Sequence, residues 1–226
     1  MLHPIITKNT LQFLNELKKN NNREWFAEHK NTFKMHEAEV KAFLNSVTDQ
    51  MRTHDEIEKL KVFRIYKDVR FSKDKTPYKY NFSGSLSRLG KDRRGGYYIH
   101  IQPKGSFIAA GFWDPEKEDL LRIRKEWEVD ATDLRELVRD KQFKSVWGEL
   151  AGEELKTAPK GFDKEDPNID LVRKKQFIFV KNFTDKEVTS TDFAQTVNET
   201  FKIIRPYFDL MSNILTTDLN GESLLE

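Results

Sequence analysis

Apolar residues recur at helical spacing early in the chain, alternate with polar ones through its middle, and return to helical spacing at the end. From Thr10, the residues Leu11, Leu14 and Leu17 share a helical face, with Lys18 and Lys19 in the last turn where cations meet the negative end of the helix dipole. Asn20, Asn21 and Asn22 close this short helix. Asn22 can cap the next one, because its side-chain oxygen accepts from amides left free in a first turn. That second helix is expected to run on Trp25, Phe26, His29, Phe33, Val40, Phe43, Leu44, Val47 and Met51 to about Arg52, with a kink near 34–39 where the apolar stripe thins.

After Lys61 the period becomes two. Phe63, Ile65, Val69 and Phe71 are expected on one face of a strand, with Arg64, Tyr66, Asp68 and Arg70 on the other. A strand over 80–88 places Tyr80, Phe82 and Leu86 inward and Asn81, Ser83, Ser85 and Ser87 outward. A Gly-rich turn follows, and then Tyr97, Ile99 and Ile101 alternate with Tyr98, His100 and Gln102. A tight turn at 103–106 leads into Phe107–Trp113, which is apolar on both faces and reads as a central strand. Turns this short imply an antiparallel meander.

Helices resume behind Pro115, which suits a first helical position, and are expected around 120–127, 134–138 and 143–147. Residues 149–170 are acidic and hold Pro159, Gly161 and Pro167, a surface connection. The last strand is 176–183. A terminal helix runs from Asp192 to Leu215, kinked at Pro206, and the last six residues are expected to fray. The pattern predicts an α+β fold in a single domain, 1–226, with a mainly antiparallel sheet of about five or six strands packed by N-terminal, middle and C-terminal helices.

Composition narrows the chemistry. The 226 residues contain no cysteine, which removes disulfides, thiolate nucleophiles and cysteine-bound metals and fits a reducing cytoplasm. No run of about 18 uncharged apolar residues exists to span a membrane, and the first residues lack the charge and apolar core of a secretion signal. The net charge of +2 hides a strong asymmetry: residues 59–94 hold twelve Lys and Arg against three Asp. The other 190 residues hold 27 cations against 34 acids. A positive stretch on a mildly acidic body favours an anionic partner.

The densest part is Arg64–Tyr80, RIYKDVRFSKDKTPYKY, where aromatic rings interleave with the cations. Arg64, Lys67, Asp68, Arg70, Asp74, Lys75 and Tyr78 are the candidate ligand-binding residues: arginine grips phosphate or carboxylate through two parallel N–H bonds, lysine acts as a point charge, and tyrosine stacks or donates. The same residues also suit a solvated loop whose ions pair among themselves. Asp68 and His100 are the candidate proton acceptors for an enzyme reading, His100 because it sits in a row with Tyr98 and Gln102. A nucleic-acid or protein interaction through 59–94 is a third reading, and no common nucleic-acid recognition motif supports it. His29 and His36 stand about 10 Å apart along a helix, too far to chelate one metal. The glycines of Arg93–Gly96 lack phosphate-loop spacing, so no cofactor and no metal are expected.

Arg64, Asp68, Arg70, Phe71, Asp74, Lys75 and Tyr78 follow the pattern Arg, two residues, Arg-Asp, one residue, Arg-Phe, then Asp-Lys and Tyr. This resembles the signature of a bacterial family catalogued as domain of unknown function 2461, with Lys67 in place of the usual arginine. Asn20–Phe26 and Pro159–Asp163, with Ile169, Asp170 and Leu171, are also similar to that family, so the resemblance covers nearly the whole chain. It implies a single-domain bacterial protein, with no activity, substrate or cofactor assigned to the family. Lysine at 67 keeps the charge but not the two-pronged grip.

Overall fold

The computed structural model describes residues 4–225. In chain order its elements are α1 (Lys8–Lys19), α2 (Arg23–Glu28), α3 (Lys30–Met51), β1 (Ile57–Val62), β2 (Phe82–Arg88), β3 (Gly96–Ile101) and β4 (Ser106–Phe112). After these come α4 (Lys117–Val129), α5 (Thr132–Arg139), α6 (Lys141–Trp147), α7 (Ile169–Val172), β5 (Phe177–Phe183), α8 (Asp185–Val188), α9 (Phe193–Ile203) and α10 (Arg205–Thr216). The five strands form one antiparallel sheet in the order β1-β2-β3-β4-β5, and the fold is α+β. Among the described residues no helix is long and apolar enough to cross a membrane.

Several expected boundaries move, each for a physical reason. The long second helix breaks at His29, not near 34–39. The His29 imidazole bonds to the Trp25 carbonyl at 2.8 Å and stacks on the Trp25 ring at 3.9 Å, and its backbone leaves the helical region at φ −99°, ψ 11°. The first strand is Ile57–Val62 and ends before Arg64. Phe63 N still donates to Ser83 O at 2.9 Å, but β2 begins at Phe82, so a strand over 63–71 has no further partner to pair with. The break at Pro206 falls as its missing amide requires, with α10 starting around it. The tail folds back, Thr217 bridging to Ser223.

The described chain resolves into two compact units. The first comprises the residues up to Leu86, Tyr98–Ile108 and Asn182–Glu199. Here Leu11, Leu14 and Leu17 of α1 and Val40, Phe43, Leu44 and Val47 of α3 are all buried, and α1 meets α3 through Phe13, 6.4 Å from Phe33 and 5.2 Å from His36. Burying this much apolar surface is the main favourable term. A polar clasp joins the two helices: the Thr10 hydroxyl bonds to Glu39 Oε1 at 2.6 Å and to the buried His36 Nδ1 at 2.8 Å. Burial lowers the His36 pKa, and Glu39 opposes that. Phe33 stacks on Phe82 of the sheet at 5.9 Å, and Phe43 on Phe193 at 5.3 Å.

The second unit comprises Ser87–Tyr97, Ala109–Lys181 and the residues from Thr200 onward. Its core is aromatic. Phe177 meets Trp127 edge-on, Phe179 lies between Phe143 and Tyr207, and Tyr97 packs on Phe201 and Phe208. The fully buried Tyr207 hydroxyl donates to the Phe177 carbonyl at 3.0 Å, and burial pushes its pKa far up. Gly111 allows β4 and β5 to pack closely: it sits at φ +134°, and a Cβ there would overlap the Phe177 carbonyl oxygen.

Gly111 and Gly148 separate two costs of adding a methyl group, because Gly148, at φ +68°, has nothing within 4 Å of a Cβ. Gly148→Ala, at φ +68° and ψ −133°, carries only a backbone strain penalty of about 1–3 kcal/mol. Gly111→Ala adds a clash with backbone and is expected to cost at least about 3 kcal/mol in urea unfolding. Equal costs would mean that the β4–β5 contact yields freely.

Candidate functional site

The Arg64–Tyr78 stretch leaves β1 as an open hairpin in the first unit, closed by one bridge between Tyr66 and Tyr78. Lys67 N donates to Pro77 O at 2.9 Å and Lys79 N to Ile65 O at 2.7 Å. Its anchor is at the base. The Asn21 side chain accepts from Tyr78 N at 3.1 Å and donates to Tyr78 O at 2.9 Å, mimicking a strand neighbour. The Tyr78 ring is buried and stacks on Phe26 at 4.0 Å. Phe71, expected inward, is 95% exposed at the far end.

Charges within the loop largely satisfy one another. Lys67 Nζ donates to Asp74 Oδ2 and to Thr76 Oγ1, both at 2.7 Å, and Asp74 Oδ1 accepts from the Thr76 amide and hydroxyl. The Lys67 bond, with those from Thr76, holds the Asp74 carboxyl well below the usual carboxylate range. Arg70 grips Asp68 with Nε at 3.0 Å and Nη2 at 2.7 Å, and so lowers its pKa. Lys75 Nζ donates to Val69 O at 3.0 Å. Five of the seven candidate ligand residues are therefore engaged with the loop itself, and Tyr78 with its base.

Arg64 differs. Among the described residues its exposed side chain has no ion pair or hydrogen bond, and its charge reaches both Asp68 and Lys79, lowering the pKa of each. Lys79 is partly buried and has no carboxylate partner among the described residues; burial lowers its pKa first and Arg64 second. Its ammonium lies 5.6 Å from the centre of the Phe63 ring, and Lys61 lies 5.2 Å from the same ring. Lys61 and Lys79 thus flank Phe63, and the charge of Arg64 acts on Lys79.

From Phe63 an aromatic strip continues across the sheet within the first unit. Its ring meets Tyr98 at 6.1 Å, Tyr98 meets Phe107 at 5.8 Å, and Phe107 stacks on His100 at 4.7 Å. All four are part-exposed, and none of these rings has a ring contact with a helix among the described residues. His100 bonds to Tyr98 Oη at 3.1 Å and to Gln102 Oε1 at 3.3 Å, the row that alternation predicted. A proton on Nε2 satisfies both contacts, donating to Gln102 while Nδ1 accepts from the tyrosine. Burial, and then the charge of Lys79, lower its pKa against the opposing Gln102 bond. Asp68 and His100 share no hydrogen bond: Asp68 lies in the loop with Arg70. No three His, Asp or Glu side chains gather as a metal site among the described residues.

Residues 9–210 match the model of a family described as conserved hypothetical protein (DUF2461). The chain belongs to this family. The matched span takes in both the Arg64–Tyr78 loop and the aromatic strip. No curated protein and no solved structure matches the chain. Lys61, Phe63, Lys79 and Phe107 lie outside the Arg64–Tyr78 signature. Alternation puts Lys61 and Phe63 on one face, a signal for that pair, whereas Phe107 opens an apolar run and gives none.

Two measurements check this geometry. Asp74→Asn removes the charge that holds Lys67, so amide hydrogen exchange across 67–76 is expected to accelerate while the midpoint of thermal unfolding moves by less than about 2 °C, as for an exposed pair. The Asp74 contribution is present above the usual carboxylate range and is lost as pH falls through the lowered folded value. His100 is expected to titrate by NMR below the usual imidazole value, and Lys79→Met to move it upward. An unchanged midpoint would show that Lys79 does not act on the ring.

Proposed function

We propose that this chain binds a small ligand bearing phosphate or carboxylate, with Lys61, Arg64 and Lys79 as its charge partners. The observation that carries the reading is a pair of lysines on one part-buried ring, with Arg64 acting on one of them and, among the described residues, no carboxylate paired to any of the three. Arg64 and Lys79 repel each other and burial costs Lys79 part of its hydration, and an anion between them turns repulsion into attraction. Arg64 offers a two-pronged grip and the lysines add point charges. In this reading Lys67, Asp68, Arg70, Asp74, Lys75 and Tyr78 form the frame that presents Arg64 and Lys79. A polymer partner along 59–94 has less support. From Arg88 onward its cations belong to the second unit, where Arg88 faces Asp209 at 3.9 Å and Arg94 pairs with Asp119.

The test is thermal unfolding with pyrophosphate or citrate at fixed ionic strength. An anion at a hundred times its Kd stabilises by about 2.7 kcal/mol, which shifts the midpoint by roughly 5–10 °C in a chain of this size. Arg64→Gln with Lys79→Gln is expected to lose most of that shift, while Arg70→Gln keeps it. The reading fails if no anion stabilises the wild type, or if the double variant responds as the wild type does.

A further inference from the structure

We propose that the ligand is a nucleotide, its planar base resting on the strip of Phe63, Tyr98, His100 and Phe107 and its phosphate on Lys61, Arg64 and Lys79. This rests on the anion reading above and adds the chemistry of the rest of the molecule. The outward row of an antiparallel sheet meets water and is ordinarily polar. In this row four rings follow one another at 6.1, 5.8 and 4.7 Å, part-exposed, with no ring contact to a helix among the described residues. Part-exposed rings on a sheet are a surface against which flat heteroaromatic rings stack, whatever their sequence or substituents.

The polar groups of the strip suit a base edge. The His100–Gln102 contact uses the Gln102 carbonyl oxygen, which leaves its amide N–H groups to donate to a ring nitrogen or carbonyl. Tyr98 Oη, donating to His100, keeps lone pairs that can accept from an amino group. Charge gathers at one end: Lys61 and Lys79 sit on Phe63, with Arg64 next to Lys79, and among the described residues no cation has a ring contact with Tyr98, His100 or Phe107. One phosphate-bearing end and one flat end describe a mononucleotide. A single-stranded polymer would instead require cations along the whole track.

Binding is measured by calorimetry on the full chain with inorganic phosphate, ribose 5-phosphate, the four ribonucleoside monophosphates and a twelve-residue oligothymidylate. At least one monophosphate is expected to bind about 10- to 100-fold tighter than ribose 5-phosphate, the range that stacking of one base supplies. Phe107→Leu is expected to bring that ratio below about 3-fold and leave phosphate binding unchanged. Should that variant not fold, intermolecular NOEs from base protons to the Tyr98 and Phe107 rings of the wild type decide the matter, and their absence from a saturated complex overturns the proposal. Phosphate binding with no preference for any monophosphate overturns the nucleotide and leaves the anion reading standing. No binding of any probe overturns both. An oligonucleotide at least about 10-fold tighter than the best monophosphate also overturns it, since the strip is then a polymer track.

Discussion

The Asn21 side chain fixes where the basic stretch can go. By accepting from Tyr78 N and donating to Tyr78 O it acts as one residue of a strand, and Phe26 seals the ring of the same tyrosine at 4.0 Å. Asn21 lies in the turn between α1 and α2, so the position of the loop is inherited from the packing of the N-terminal helices. A buried aromatic stack with two backbone bonds resists displacement far better than an exposed ion pair, and the ion pairs here are exposed. Lys79 is the next residue, and its amide bond to Ile65 O sets it opposite the residue that precedes Tyr66. The helix turn therefore places the charges, and the charges do not place the loop.

The local parts of this arrangement were legible in the sequence. Alternation of Tyr97, Ile99 and Ile101 with Tyr98, His100 and Gln102 follows from a period of two, and the structure buries the first set and links the second by hydrogen bonds. Pro206 announced its break because it has no amide to give. What failed was decided elsewhere in space. The strand expected over 63–71 has the right pattern, but β2 supplies no partner beyond Ser83, and Phe71 ends in solvent. The break at His29 depends on an imidazole bonding a carbonyl one turn back, which no propensity encodes.

Charge was legible as a sum and misleading as a surface. Residues 59–94 carry twelve cations and three acids, yet four of the loop's charges, on Lys67, Asp68, Arg70 and Asp74, cancel in two pairs. Arg88, within the same stretch, is buried and stacks on Phe208. The unpaired charge is smaller than the count suggests and more local. It centres on Phe63, which the signature does not include.

That concentration gives the aromatic strip its meaning. Apolar rings left part-exposed on a sheet cost free energy in water and add an aggregation hazard, so a row of four carries a liability that serines or threonines would avoid. Cations at one end disfavour self-association with like ends together, because that pairing would bring Lys61, Arg64 and Lys79 of each copy close. The same arrangement does not repel a flat ligand with a negative end; it attracts one. The selectivity proposed for this row would rest on elementary electrostatics, and the loop that Asn21 holds in place sets where its charged end lies.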